Sequence, residues 1–128
     1  MTVGRSSSPT HQTGAAAEEV AARFLCQQGF ELVAQNFNTR LGEIDLIVKK
    51  SNLLIFVEVR QRRAGSMVNA LESITVGKQR KITRSAMIFL QRHKQYENFD
   101  CRFDVVALTA EKAGNGKLEW IPAAFNVA

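Results

Sequence analysis

GEIDLIVKKSNLLIFVEVR, residues 42–60, is the stretch whose reading decides the fold. It holds two apolar runs, residues 42–49 and 53–60, separated by the polar Lys50, Ser51 and Asn52. A short polar break between two strand-like runs predicts a β-hairpin. In the first run, alternation puts Ile44, Leu46 and Val48 on one face and Glu43, Asp45 and Ile47 on the other. The second run is apolar from Leu53 to Val57 without a break, which predicts a central strand covered on both faces. Asp45 and Glu58 interrupt these runs. A carboxylate inside a buried strand costs free energy unless it is paired or holds a metal.

On the N-terminal side, residues 1–12 are polar, Ser-rich and contain Pro9, the composition of a disordered tail. A helix is expected over residues 13–28, with Thr13 as N-cap and Gly29 as its stop. Ala17, Val20, Ala21, Phe24 and Leu25 form its apolar stripe. Glu18 and Glu19 fall in the first turn, where acids complement the helix dipole. Residues 30–37 alternate weakly as a first strand, and 38–41 form a turn.

On the C-terminal side, residues 61–73 lack a period and read as a loop. A second helix is expected over residues 75–93. Ile82, Ala86, Phe89, Leu90 and His93 make its buried face, and Lys78, Lys81, Ser85 and Arg92 lie on another side. Residues 102–109 form a further strand and 118–121 a short last one. A helix, three strands, a helix and one or two strands make an α/β domain with a mixed sheet. The 128-residue chain divides into the tail and one domain over residues 13–128, long enough to bury a core.

The net charge is +5, unevenly spread. Nine of the 17 Lys and Arg residues lie between Arg60 and Lys94, together with one acid, Glu72. Such a block suits a polyanionic partner or, in the plainer reading, a solvated helix face. Cys26 and Cys101 lack metal-ligand spacing and read as small core residues in a reducing compartment. His11 and His93 have no partner at metal or triad spacing. No run reaches transmembrane length, and the N-terminus lacks the apolar stretch of a signal peptide. The expectation is a cytoplasmic protein with no membrane partner.

Glu58 and Arg60 are two apart on one strand and share a face. If Asp45 on the neighbouring strand faces the same side, two carboxylates and a cation converge. Adjacent carboxylates repel unless a cation lies between them. Mg²⁺ takes oxygen ligands, so Asp45, Glu58 and a backbone carbonyl such as that of Val59 would suit it. The alternative is an ordinary ion pair of Arg60 with Glu58 or Asp45 at the sheet surface.

A wider set of residues carries a resemblance. It comprises Gly14, Glu18, Phe24-Leu25, Gly29, Asn36, GEIDLI (42–47), FVEVR (56–60), Lys78 and RFDVV (102–106). Over roughly residues 14–120 the chain resembles the YraN-like family of small uncharacterised bacterial proteins. That family is similar in turn to the restriction-endonuclease-like superfamily, especially archaeal Holliday junction resolvases and RecB-type nuclease domains. The resemblance implies an αβββαβ core, a mixed central sheet flanked by helices. It implies metal ligation of Mg²⁺ or Mn²⁺ by Asp45 and Glu58, and catalytic roles for Asp45, Glu58, Arg60 and the helix acid Glu18. Glu18 is otherwise a dipole-complementing surface acid. Glu43 supports the ligands or is a strand-end acid. Lys78 contacts phosphate, replaces a missing lysine or is solvated. Gln79 lies near a RecB-type glutamine, and Asp104 is expected to pair with a nearby base.

The superfamily's lysine is Arg60 here. An arginine stays protonated, so it can hold charge or water but cannot act as a base. The implied activity is metal-dependent DNA endonucleolysis, phosphodiester hydrolysis on branched or structured DNA. Arg62, Arg63, Lys78, Lys81 and Arg84 would track phosphates, and a homodimer would cut two strands. One alternative is a catalytically inactive nucleic-acid-binding module on the same fold, which Arg60 favours. The other is a protein-interaction domain in which the charges merely pair.

Overall fold

The strand Leu53–Arg62 (β3) lies at the middle of a five-stranded sheet, as its unbroken apolar run requires. The structure, a computed structural model, describes residues 9–63, 69–110 and 116–126. Before β3 come α1 (Pro9–Gln27), β1 (Glu31–Thr39) and β2 (Gly42–Lys50). After it come α2 (Val76–Arg92), a 3₁₀ turn (Lys94–Tyr96), β4 (Asp100–Thr109) and β5 (Lys117–Phe125). The strand order is β1-β2-β3-β4-β5. Among the described strands only β3 and β4 pair in parallel, and α2 supplies the crossover that a parallel pair needs. This is a mixed α/β sheet with the αβββαβ order of the restriction-endonuclease-like core, extended by β5.

Each face of the sheet carries a helix. Ala21 and Leu25 of α1 pack with Phe30, Leu46, Val48, Ile55 and Val57. Ile82, Ala86 and Phe89 of α2 pack with Ile44, Ile47, Leu54, Phe56 and Phe103. Phe56 stacks on Phe103 and meets Phe89 edge-on, with centroids 5.5 and 6.1 Å away. Thr75 caps α2 by accepting the Lys78 N–H at 3.1 Å. Among the described residues no helix is long and apolar enough to cross a membrane.

Several local expectations are corrected. α1 starts at Pro9, four residues before the expected position, so Thr13 lies inside it rather than capping it. A proline in the first turn forfeits no helical hydrogen bond, so it does not block that start. Residues 1–8 of the expected tail and 64–68 of the expected loop lie outside the described residues. Ile44 packs with Ile47 on the α2 side, so the alternation of β2 breaks at Asp45. Asn36, at the matching place on β1, has the left-handed φ of 51°. β5 runs past Pro122 because it is an edge strand, where a missing N–H is tolerated. Cys26 and Cys101 are exposed, not core: Cys26 turns away from the sheet that holds Leu25, and Cys101 lies near the start of β4. Ser85 is fully buried because the β1–β2 hairpin docks on it, with Thr39 Oγ1 3.0 Å from Ser85 Oγ.

Asp104 pairs with a neighbouring base, as expected. Its carboxylate, fully buried, accepts from Arg102 Nε and Nη2 at 2.9 and 3.0 Å. It also accepts the Trp120 indole N–H and the Ala123 N–H, each at 2.9 Å. The pairing of β4 with β5 slips between Phe103 and Val105, and this carboxylate bridges the slip. Trp120 then meets Phe24 of α1 edge-on, 5.8 Å between centroids. Asp104→Ala orphans two N–H groups and an arginine, and is expected to destabilise the fold by about 3 kcal/mol. Urea unfolding followed by fluorescence of Trp120 measures this, and a cost below about 0.5 kcal/mol would show that the network is dispensable.

Candidate metal centre

The β2–β3 ladder runs from Lys50↔Leu53 to Leu46↔Val57 and stops there. The next pair would be Asp45 and Glu58. Instead, Asp45 Oδ2 accepts the Val59 N–H at 2.8 Å, a side chain taking the place of a ladder carbonyl. The strands part at this point, and both carboxylates turn into the gap between them. Val59 thus offers Asp45 its N–H.

Four elements bring charge to the gap. Glu18, 7% exposed, reaches it from α1, and Glu43 from the start of β2. Glu18, Glu43 and Asp45 can each place one oxygen within 4.8 Å of the other two. Glu58, 3% exposed, lies beside Asp45 from β3. Its Oε2 lies 3.3 Å from Arg60 Nη1 and 3.6 Å from Lys78 Nζ at the start of α2. These residues, with Gly14, Ala17, Val59 and Gln61, line a cavity of about 360 Å³.

The fold thus gathers Glu18, Asp45, Glu58, Arg60 and Lys78 around one cavity. The Arg60–Glu58 ion pair of the plainer reading is present within the same cluster. Glu43 joins the carboxylates rather than standing apart as a strand-end acid. Lys81 lines a neighbouring cavity, while Arg63 and Arg84 are exposed and Arg62 half-buried outside both. Gln79 is turned away, its Nε2 donating to the Ile74 carbonyl at 3.2 Å. His93 hydrogen-bonds through Nδ1 with the Phe89 carbonyl at 2.8 Å and stacks on the Phe89 ring.

Two supporting residues escape sequence reasoning. Ser73 holds Arg60: its Oγ accepts from Arg60 Nε at 3.1 Å, and its carbonyl accepts from Nη2 at 2.9 Å. Nothing in the aperiodic stretch before α2 marks that serine. Asn36 approaches Glu18 from β1 and favours its charged form. Its one sequence signal was its place among the family-like residues, without a role.

Burial governs the protonation of the cluster. It pushes Glu58 up to about 8, with the nearby Asp45 adding to the rise and Lys78 and Arg60 opposing it. It pushes Asp45 up to about 7, against the Val59 N–H and with the help of Glu18 and Glu43. Glu18 is raised by burial too, opposed by its hydrogen bond with Asp45. A set of buried and half-buried carboxylates whose oxygens can converge could hold a hard divalent cation such as Mg²⁺ or Mn²⁺.

The raised values mean that the folded protein binds more protons than the unfolded chain. The stability they confer is complete below the unfolded carboxylate values and is lost as pH rises through about 7 to 8. In chelator, the melting temperature is therefore expected to fall between pH of about 5 and about 8.5, and Asp45→Asn to flatten the fall. Scanning calorimetry across that range checks it; a melting temperature that climbs with pH would contradict the assignment.

Comparison with known proteins supplies the relationship. Residues 17–108 match the profile of the uncharacterised protein family UPF0102. A UPF0102 protein of Acinetobacter baumannii (strain AYE) is 50% identical over 95 residues, covering 74% of this chain and 71% of that protein. One from Psychrobacter sp. (strain PRwf-1) is 41% identical, covering 92% and 90%. Another, from Coxiella burnetii (strain RSA 493), is 37% identical over 118 residues, covering 92% and 95%. The chain belongs to the uncharacterised family UPF0102, the YraN-like family that its motifs resemble.

Proposed function

We propose that this protein is a metal-dependent DNA endonuclease that hydrolyses phosphodiester bonds in branched or structured DNA. The observation that carries the reading is the convergence of Glu18, Glu43, Asp45 and Glu58 on one cavity beside Arg60 and Lys78. Glu18, Glu43 and Asp45 would hold Mg²⁺ or Mn²⁺, with Glu58 beside them. When bound, the ion supplies Lewis-acid polarisation of a phosphoryl oxygen and lowers the pKa of water.

The chain's own residues divide the remaining work. Arg60 is braced by Ser73 and Glu58, so it presents a fixed, permanent positive charge rather than a proton acceptor. Lys78, with a side chain 44% exposed, is the compact cation that can reach a phosphate oxygen. The hydrogen bond of Asp45 to the Val59 N–H fixes the orientation of the central carboxylate. Arg62, Arg63, Lys81 and Arg84 extend the positive surface along which a DNA backbone would lie.

The test is cleavage of four-way-junction, duplex and single-stranded DNA with Mg²⁺ or Mn²⁺ and with chelator. The expected result is metal-dependent cleavage that Asp45→Ala and Glu58→Ala each reduce by about 10²–10³-fold. Wild-type protein that leaves every substrate intact in both metals would refute the enzyme reading. Arg60, standing where the resembled superfamily has a lysine, favours one second reading, a binding module without catalysis. Calorimetric titration with Mn²⁺ separates the two: a nuclease site gives binding heat that vanishes in Asp45→Ala, and a module without a metal gives none.

A further inference from the structure

The carboxylate cavity has a neighbour. A second cavity, of about 450 Å³, shares Glu43 and Lys78 with the first. Its other walls are the tip of the β1–β2 hairpin, residues 38–42, and Lys81 of α2. Arg40, Lys78 and Lys81 face one carboxylate there, the reverse of the balance in the first cavity.

The two walls are fixed to each other. Thr39 Oγ1 accepts the N–H groups of Leu41 and Gly42 at 3.0 and 3.1 Å and meets Ser85 Oγ of α2 at 3.0 Å. A Cβ at Gly42 would lie 3.0 Å from Lys81 Cβ and 3.3 Å from Ser85 Oγ, so a larger residue would push the tip and α2 apart by a few tenths of an ångström. That approach sets Arg40 and Lys81, both exposed, around one space.

A cluster of carboxylates repels every phosphate except one that a bound cation neutralises. The neighbouring phosphates of the same strand need protein cations. We propose that the second cavity is a phosphate subsite for the DNA strand as it leaves the carboxylate cavity. Arg40 and Lys81 are its backbone-binding residues, and Lys78 lies where the two cavities meet. The proposal rests on the nuclease reading for the identity of the strand, and its test reads binding rather than cleavage.

Fluorescence anisotropy of the full chain with labelled four-way-junction and duplex DNA, in Ca²⁺ and in chelator over a range of salt, decides it. Arg40→Ala/Lys81→Ala is expected to weaken binding about tenfold or more at moderate salt. It should flatten the slope of log affinity against log salt by about 2, the counterions of two phosphates. Lys50→Ala/Lys94→Ala removes the same charge at the far end of the sheet and is expected to leave the slope unchanged. Equal losses in both double variants would reduce the effect to net charge and overturn the subsite, as would wild-type protein that binds no DNA or binds duplex RNA more tightly. Cleavage assays on the same proteins keep the two ideas apart. Binding that depends on Arg40 and Lys81 without any metal-dependent cleavage upholds the subsite and refutes the nuclease reading. Cleavage by wild-type protein, with both double variants binding as it does, refutes only the subsite.

Discussion

The hydrogen bond from the Val59 N–H to Asp45 is the contact on which the candidate site depends. An antiparallel pair normally closes its ladder with backbone carbonyls. Here a carboxylate takes one such place, and β2 and β3 separate beyond Leu46 and Val57. The separation makes the gap into which Glu18, Glu43, Asp45 and Glu58 turn. It also leaves the α2 side free to contribute Lys78 and, through Ser73, to brace Arg60. A ladder continuing to Gly42 would instead pair these acids across a closed sheet.

The cost of gathering those acids is visible in their protonation. Burial and mutual repulsion raise Asp45, Glu58 and Glu18 together, while Asp104, more deeply buried, is matched by Arg102, Trp120 and Ala123. The two buried acidic places of the sheet therefore differ in kind. Asp104 is satisfied by the chain itself and ties β5 to β4. The cluster around Asp45 instead sets carboxylates against one another, with Arg60 and Lys78 beside Glu58.

The charge pattern continues beyond that cluster. Carboxylates dominate the first cavity and cations the second, with Glu43 and Lys78 common to both. The arrangement depends on a hairpin tip locked to α2 through Thr39, Gly42 and Ser85. Sequence distance hides it, because the hydroxyl contact spans 46 positions.

Local sequence determined what local physics controls. The polar break at residues 50–52, the unbroken run of β3 and the helical stripes fixed the hairpin, the central strand and the two helices. Family-like motifs mark Glu18, Asp45, Glu58 and Lys78 as one set, and the fold brings them to one cavity. Alternation misassigned Ile44 because the left-handed Asn36 and the Asp45 contact break the period of β2, and neither is a property of β2's own residues. Apolar neighbours misplaced Cys26 and Cys101, since burial is set by which face meets the sheet. Tertiary structure alone decided that Glu43 joins the acids, that Ser73 braces Arg60 and that Arg40 meets Lys81 across a cavity. Each of these contacts joins residues whose proximity arises only when strands part and a helix crosses over, and no local pattern encodes such a closure.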